Sequence, residues 1–405
     1  MLVSTHPIAN GRSFPVQSTS LPLRVDDLSD DERERVLTDA TLRSLADVLA
    51  TVPDPRSRHG KRYDLPFLLT CLVSAMLCNC NSLEAVGEWC QEHRTLLRQT
   101  FGPRRHLTPT GSLYRWLLPR LSAAHLEWAL ASWVQATRAR PDTEAVALDG
   151  KVLRGAAESE EAAPRLLAVT THTTRETLIE VPIARKTTEV PVAQSLLGWL
   201  LLHQRVVTAD ALHCQTVSAQ AILDAGGDYL LCLKGNWPVQ YAEVVTYFAD
   251  PAAVTSEAMT IERQKGRREE RRLRVTTELN AHLVGFPELA QVAQITRTVT
   301  DTRGVHQDVD YFVTSSLASP TSLLTLIRGH WSIERQHWLR DVDFGEDRSR
   351  VRSGQAPRLL AALRNAILTL LGRVHRTAIA AARRFFASHP RRALSLVRRS
   401  FPSYR

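Results

Sequence analysis

The chain has 405 residues, of which 44% are hydrophobic, 23% charged and 6% aromatic. This composition excludes a disordered or fibrous protein and supplies enough apolar material for a large core. Its 51 Lys and Arg residues outnumber 42 Asp and Glu residues, and the net charge of +9 favours an anionic partner such as nucleic acid. However, 46 of the 51 basic residues are Arg, and such a bias also arises from genomic base composition.

The positive charge is concentrated at the C-terminal end of the sequence. Residues 348–405 contain 14 Arg and no Asp, Glu or Lys, whereas residues 1–347 carry 37 basic and 42 acidic side chains. The two parts therefore have net charges of +14 and −5. We predict a basic tail at residues 376–405, and we expect the arginines of residues 348–405 to bind DNA phosphates without reading sequence.

The N-terminal third predicts a leader followed by a helical domain. Residues 1–40 are polar and predict a flexible leader. Residues 41–140 have apolar side chains at helical spacing, interrupted by Pro and Gly, and predict four to six helices. The longest apolar stretch, residues 65–78, is too short for a bilayer, which needs roughly 20 residues, so we predict a buried helix. Six cysteines and the lack of a signal-like start favour a reducing cytoplasm.

The pattern changes near residue 141, where short β-like runs begin. There are five such runs, at residues 145–148, 166–170, 178–183, 205–208 and 229–233. Helical patterns separate the third run from the fourth and the fourth from the fifth. Three consecutive strands followed by alternating helices and strands predict a mixed sheet whose last strands are parallel, in the order of the ribonuclease-H-like fold. We predict an α/β domain over residues 141–375, with a β-rich insertion at about 245–316 and helices at 323–339 and 356–371.

Two aspartates follow strand runs of this domain. Asp149 comes after residues 145–148, and Asp210 comes after 206–208. A single aspartate at a strand end is more often a cap or turn residue. If the two strands are neighbours, however, both carboxylates can reach one hard divalent cation, which prefers oxygen ligands. Glu334, in a predicted helix, is the candidate for a third ligand.

Four motifs resemble, in order, the signatures of bacterial insertion-sequence transposases with a catalytic Asp-Asp-Glu triad. They are ALDGKVLRG at 147–155, VTADALHCQ at 207–215, GGDYLLCLKGNWP at 226–238 and RGHWSIERQHWLRDVDFGEDRSRVRSG at 328–354. The branch is the one that contains the H-repeat-associated proteins. Residues 46–77 are similar to the helical domain that accompanies this catalytic domain, and the resemblance covers about residues 42–375.

The resemblance implies a metal-dependent DNA transposase. Asp149, Asp210 and Glu334 would be catalytic and would hold two Mg²⁺ or Mn²⁺ ions, which suits DNA cleavage followed by 3′-end transfer. The implied partners are double-stranded DNA, as terminal inverted repeats and as target, and further copies of the chain in a homo-oligomer. The implied location is the bacterial cytoplasm, at the nucleoid and not at a membrane.

Several further side chains are candidates for DNA contact. Basic and amide side chains just after the strand ends are suited to phosphate oxygens, and the branch motif and the insertion add others. The candidates are Lys151, Arg154, Lys234, Asn236, Arg267, His330 and Trp331. Trp237 and Trp331 could stack on an unpaired base, although a buried tryptophan is more common.

Three alternatives remain open at the level of sequence. Glu346, in an acidic cluster after the third motif, is the strongest rival to Glu334, although such a cluster more often pairs with neighbouring Arg. The chain could be a domesticated or inactive relative that only binds DNA. It could also be a structure-selective nuclease of the same fold, which cuts branched DNA without joining ends.

Overall fold

The computed structural model describes residues 5–7, 13–15, 43–57, 61–102, 108–137, 143–157, 163–184, 187–200, 202–264, 266–374 and 378–401. The predicted leader, residues 1–40, lies outside them except for two short strands. These strands, β1 (Thr5–Pro7) and β2 (Ser13–Pro15), pair antiparallel.

Six α-helices form the described part of the N-terminal domain, in agreement with the predicted four to six. They are α1 (Leu45–Thr51), α2 (Leu65–Leu77), α3 (Leu83–Glu92), α4 (Arg94–Phe101), α5 (Gly111–Leu117) and α6 (Ala123–Ala136). Pro66 stands in the first turn of α2, where a missing backbone N–H costs nothing, and every other residue of α2 is buried. The apolar stretch is therefore the buried helix that the sequence predicts, and no described helix is long and apolar enough to cross a membrane.

The second domain is built on a nine-stranded mixed sheet with the order β5-β4-β3-β6-β7-β11-β10-β9-β8. Its first five strands are β3 (Val146–Val152), β4 (Arg165–Thr171), β5 (Thr177–Ile183), β6 (Val206–Ala209) and β7 (Asp228–Leu233). Strand β4 pairs antiparallel with both β3 and β5, and β6 and β7 run parallel to β3. This is the predicted ribonuclease-H-like order.

The β-rich insertion extends the same sheet. Its strands are β8 (Ser256–Gln264), β9 (Arg267–Thr276), β10 (Gln291–Asp301) and β11 (Gly304–Thr314). They pair antiparallel with one another, and β11 pairs antiparallel with β7, so the inserted strands continue one ladder.

Helices cover the sheet between and after its strands. They are α7 (Glu189–Leu197), α8 (Thr216–Asp224), α9 (Pro238–Ala249), α10 (Pro320–Asp343) and α11 (Ala356–Val374). The sequence did not predict α9, because only Val244 and Phe248 of its side chains are buried and its apolar periodicity is weak. Helix α10 crosses β3 and β4, where Ile333 packs on Ala147 and Ala168.

The C-terminal segment, which the sequence predicts as a basic tail, contains two helices. It forms α12 (Ile379–Ser388) and α13 (Pro390–Val397), and α13 packs on α2. Ala393, Leu394 and Val397 are buried at helical spacing, which gives this arginine-rich segment an apolar face. Four exposed arginines, termed the terminal arginines, lie on the opposite side: Arg391, Arg392, Arg398 and Arg399.

One arginine of this segment is part of the core. Arg383 is 1% exposed, and its guanidinium lies 4.0 Å from the centre of the Phe344 ring. It donates hydrogen bonds to Met76 O (2.8 Å) and Asn81 Oδ1 (2.7 Å) in the N-terminal domain. The charge of the segment is thus divided between structural and exposed positions.

Candidate active site

Asp149 and Asp210 are brought together by the parallel pairing of β3 with β6. The last paired residues of the two strands are Leu148 and Ala209, and the two aspartates follow them directly. On its other side β3 continues to Val152, so Asp149 is held within a strand and paired with Ala168 of β4. Asp210 is exposed and opens a turn in which its Oδ1 accepts from the backbone N–H of Leu212 at 3.0 Å.

Glu334 approaches these aspartates from the covering helix. It is exposed on α10, one residue after the buried Ile333, and it forms no ion pair with any described residue. The pKa of Asp149 is raised to about 7, mainly by burial and also by the negative charges of Asp210, Glu189 and Glu334, which together outweigh the hydrogen bond from the backbone N–H of Gly150. The carboxylates are therefore close enough to interact electrostatically.

Glu189 is a site residue that the sequence reasoning missed. It is the first residue of α7, and its carboxylate lies against Gly150: a Cβ at position 150 would be 2.7 and 2.8 Å from its two oxygens. The direction of the strands could have predicted this position. Strand β5 runs parallel to β3, so a residue that follows β5 reaches the same edge of the sheet as Asp149.

Two histidines lie beside these carboxylates. His337 Nδ1 is 3.5 Å from Asp149 Oδ2, and burial, together with the charges of Arg340 and Lys151, lowers the pKa of His337 to about 3. His337 is therefore neutral and does not offset the acidic charge at neutral pH. His213 is 1% exposed with Nε2 3.7 Å from Glu189 Oε2, and both its ring nitrogens lack a hydrogen-bond partner among the described residues.

The donor set suits a hard divalent cation. All four acidic groups present oxygen, the preferred ligand of Mg²⁺ and Mn²⁺. Within the described ranges no three His, Cys, Asp or Glu side chains are gathered at ligand spacing. Mutual repulsion of unneutralised carboxylates is consistent with that arrangement.

Two of the predicted DNA contacts have structural partners instead. Lys151 is 7% exposed, and its Nζ donates to both oxygens of Asp341 at 2.8 Å. Its ammonium group is held by this pair, and the predicted contact with phosphate stays a prediction. Asn236 Nδ2 donates to Ala211 O (2.9 Å) and Cys214 O (3.1 Å), so it holds the turn that follows Asp210.

Three other basic candidates are on the surface. Lys234 has a side chain 57% exposed and lies 3.6 Å from Asp310. Arg154 is exposed in the turn after β3. Arg267, at the start of β9, is 46% exposed and pairs with Glu269 at 3.0 Å. Their positions leave these side chains accessible to a nucleic-acid backbone.

His330 and Trp331, adjacent on α10, have different environments. His330 Nδ1 is 3.0 Å from Thr208 Oγ1, which is also 2.9 Å from His172 Nε2. The imidazole of His330 therefore fixes α10 to β6. Trp331 is 39% exposed and lies under the guanidinium of Arg271, 5.5 Å from its ring centre. Trp237, in contrast, packs on Phe286 and donates from Nε1 to Cys214 O at 2.6 Å.

Glu346, the rival of Glu334, is part of a buried ion-pair cluster. It is 3% exposed and accepts from Arg340 Nε (2.8 Å) and Arg364 Nη1 (2.9 Å). Burial opposes its charge, but the two guanidiniums prevail and lower the pKa of Glu346 to about 2. Arg340 also contacts Glu180 of β5 at 2.5 Å, so the cluster fastens α10 to the sheet.

Acidic side chains that follow adjacent parallel strands, in a sheet of this order, are the features of the ribonuclease-H-like class with a carboxylate site. Two family models match the chain: DDE_Tnp_1-associated over residues 46–134 and Transposase DDE domain over residues 140–370. The chain therefore belongs to the transposase DDE domain family. This agrees with the resemblance that the motifs indicate.

Its relatives cover most of its length. The protein YbfL of Escherichia coli (strain K12) is 24% identical over 345 residues, which are 82% of this chain and 90% of YbfL. The "H repeat-associated putative transposase YhhI" of the same strain is 22% identical over 346 residues, 82% of this chain and 90% of YhhI. Among solved structures, a piggyBac transposase synaptic complex with hairpin DNA matches with a TM-score of 0.45 and 9% identity, covering 90% of this chain and 80% of that one.

Proposed function

We propose that the chain is a DNA transposase that cleaves at the terminal inverted repeats of its element and transfers the 3′ ends to target DNA. In this proposal Asp149, Asp210 and Glu334 hold the catalytic metal ions. The observation that carries it is the parallel register of β3 and β6, which ends immediately before the two aspartates beneath the helix that bears Glu334.

The chemistry needs an activated water, neutralisation of charge on the phosphate and stabilisation of the leaving 3′ oxygen. Two Mg²⁺ or Mn²⁺ ions bound by carboxylates would supply these functions. The liberated 3′ hydroxyl then attacks a target phosphodiester, which exchanges one P–O bond for another. The same site therefore suffices for cleavage and joining.

The protein's own contribution is to hold the carboxylates in place. Asp149 is fixed by its pairing with Ala168 of β4, and it directly follows the last residue of β3 that pairs with β6. Glu334 is fixed through α10, which the Lys151–Asp341 and Arg340–Glu180 pairs join to the sheet. Rigid positioning of this kind lowers the barrier, because the reacting groups need not be ordered during the reaction.

For the nucleic acid we propose a surface that includes Arg154, Lys234, Arg267 and Trp331. Three of these are exposed cations suited to phosphate, and Trp331 is an exposed ring suited to stacking on a base. We propose that His330 and Asn236 position neighbouring segments of this site. Because two ends must be cut and joined, we also propose that the chain acts as a homo-oligomer on DNA, at the bacterial nucleoid.

A strand-transfer assay tests the proposal. The full chain is incubated with Mg²⁺ or Mn²⁺, labelled terminal-repeat DNA and a target plasmid, and nicked and joined products are resolved. We expect both products from the parent and neither from Asp149→Asn, Asp210→Asn or Glu334→Gln. Glu243→Gln, a carboxylate change on α9, is the matched control and should retain both.

Each contrary result has a distinct meaning. Cleavage of branched or hairpin DNA without joining would replace transposition by a structure-selective nuclease. Binding of DNA without cleavage, with any divalent ion and equally in parent and variants, would identify a relative that only binds DNA.

A further inference from the structure

We propose that Glu189 is a fourth carboxylate ligand of the divalent-metal site. This inference rests on the proposed metal-dependent function. It adds to the three carboxylates of the Asp-Asp-Glu motifs a residue from a segment that none of those motifs includes.

The fold delivers Glu189 to the correct edge of the sheet. Strand β5 ends at Ile183, which pairs with Arg165 of β4, and Arg165 pairs with Val152 at the carboxyl end of β3. The chain then enters α7 at Glu189. Both β3 and β5 therefore direct the residues that follow them to the edge where Asp149 lies.

The close approach to Gly150 places the carboxylate beside the strand backbone. Any Cβ at position 150 would lie within 2.9 Å of the Glu189 carboxyl carbon and oxygens. Real Cβ atoms do not tolerate such distances, so glycine is required for Glu189 to occupy this position. The absence of a side chain at residue 150 thus creates the space that the fourth carboxylate fills, next to Asp149.

Glu189 differs from the buried glutamates elsewhere in the described structure, because they have arginine partners. These pairs are Glu127 with Arg358, Glu176 with Arg373, Glu180 with Arg340 and Glu346 with Arg364. Glu189, whose side chain is 20% exposed, has no Lys or Arg partner among the described residues.

The group that faces Glu189 is His213, which has no other polar partner among the described residues. Its ring is buried, and Nε2 is directed at Glu189 Oε2 over 3.7 Å, beyond hydrogen-bond distance. The Glu189 carboxylate lies against Gly150, next to Asp149, and the buried imidazole that faces it is not hydrogen-bonded to it, so its negative charge has no offset among the described residues. A divalent cation would supply that offset.

Metal binding by the full chain, measured by calorimetry with Mn²⁺ in the absence of DNA, tests this assignment. We expect Glu189→Gln to raise the Kd by about tenfold or more, at least the effect of removing a supporting residue of a metal site. We also expect it to raise the melting temperature in EDTA, because one repelling charge is removed, and to reduce the increase that Mn²⁺ produces. Glu243→Gln, the matched control on α9, should leave all three quantities unchanged.

Other outcomes would overturn the assignment in separable ways. If Asp149→Asn loses Mn²⁺ binding but Glu189→Gln binds like the parent, the metal site stands and Glu189 is not a ligand. If Glu189→Gln lowers the melting temperature in EDTA and binds Mn²⁺ normally, Glu189 only pairs with His213. If Asp149→Asn also binds normally, the proposed function fails at its metal site.

A measurement on the parent protein covers the case in which Glu189→Gln does not fold. Fe²⁺ bound in place of Mg²⁺, with ascorbate and peroxide, cleaves the backbone near its ligands. We expect cleavage near residue 189 as well as near residues 149 and 210, and competition by Mn²⁺ at all three. Cleavage at 149 and 210 without cleavage at 189 would overturn the assignment.

Discussion

Glu346 and Glu334 should respond in opposite ways to the same substitution. Glu346→Gln should strongly destabilise the fold, because it removes the negative charge that the buried guanidiniums of Arg340 and Arg364 share. Glu334→Gln should abolish catalysis but change stability by no more than about 0.5 kcal/mol, because Glu334 is exposed. Two glutamates 12 positions apart would thus separate into a structural and a catalytic residue.

The magnitude follows from the Glu346 carboxyl. Its pKa falls from 4.5 to about 2 on folding, which corresponds to about 3 kcal/mol at neutral pH. Removal of one partner from a buried ion pair typically costs about 3 to 5 kcal/mol, in agreement. Because the folded pKa is the lower one, this stability is present above about pH 4.5 and disappears as the pH falls toward 2.

Urea unfolding at pH 7 and at lower pH measures both quantities. We expect the difference between the parent and Glu346→Gln to be about 3 kcal/mol at pH 7 and to shrink below pH 4.5. Glu257→Gln is the control, since its ion pair with Arg272 is exposed and should contribute less than about 1 kcal/mol. A destabilisation by Glu346→Gln no larger than that of the control would refute the reasoning, as would intact catalysis by Glu334→Gln.

Three further outcomes can be measured. Gly329→Ala should lower the free energy of unfolding by about 1 to 3 kcal/mol, because the new Cβ would overlap His172 Nδ1. Gly235→Ala is the control and should be tolerated, because there is open space around residue 235; equal effects of the two substitutions would contradict this packing. Burial, together with the charge of His330, lowers the pKa of His172 to about 4. Between about pH 6.5 and 4, His172 therefore takes up a proton only when the protein unfolds. The free energy of unfolding should therefore fall by up to about 3 kcal/mol as the pH is lowered from about 6.5 to 4, and it should fall less steeply in His172→Asn. The same slope in parent and variant would be evidence against this histidine. Replacing the terminal arginines by Gln should lower the melting temperature only slightly, because their contacts with Gln99 and with aromatic rings are at the surface. It should reduce the salt dependence of DNA binding by about 0.9 in slope for each phosphate that is no longer neutralised, while an unchanged slope would mean that DNA binds elsewhere.

The sequence predicted the sheet and the proximity of Asp149 and Asp210 because both depend on local rules. Strand periodicity located β3 and β6, and the order of strands and helices made them parallel neighbours. Lys151 illustrates the limit of that reasoning. Its residue type and its position after Asp149 suggest phosphate binding, but its partner Asp341 is 190 residues away in sequence, and only the tertiary fold brings them together.

Charge counting was equally limited in the C-terminal segment. A count treats Arg383 and Arg391 alike, although one is buried and hydrogen-bonded and the other is exposed. The apolar face of α13 is interleaved with arginines and therefore gives a weak composition signal. Deletion of the arginine-rich residues 348–405 would remove α11, α12 and α13, so substitution of the terminal arginines tests DNA binding more cleanly than deletion.

The bonds from Arg383 to Met76 and Asn81 also constrain the order in which the protein can mature during synthesis. The N-terminal domain leaves the ribosome first, yet Met76 O and Asn81 Oδ1 also accept hydrogen bonds from residue 383, and the backbone N–H of Phe401 bonds to Arg43 O at 2.9 Å. The domain made first is therefore completed last. A chain that ends prematurely in the sheet would expose the surface of α2 that α13 covers, and it would be recognised by proteases as unfinished.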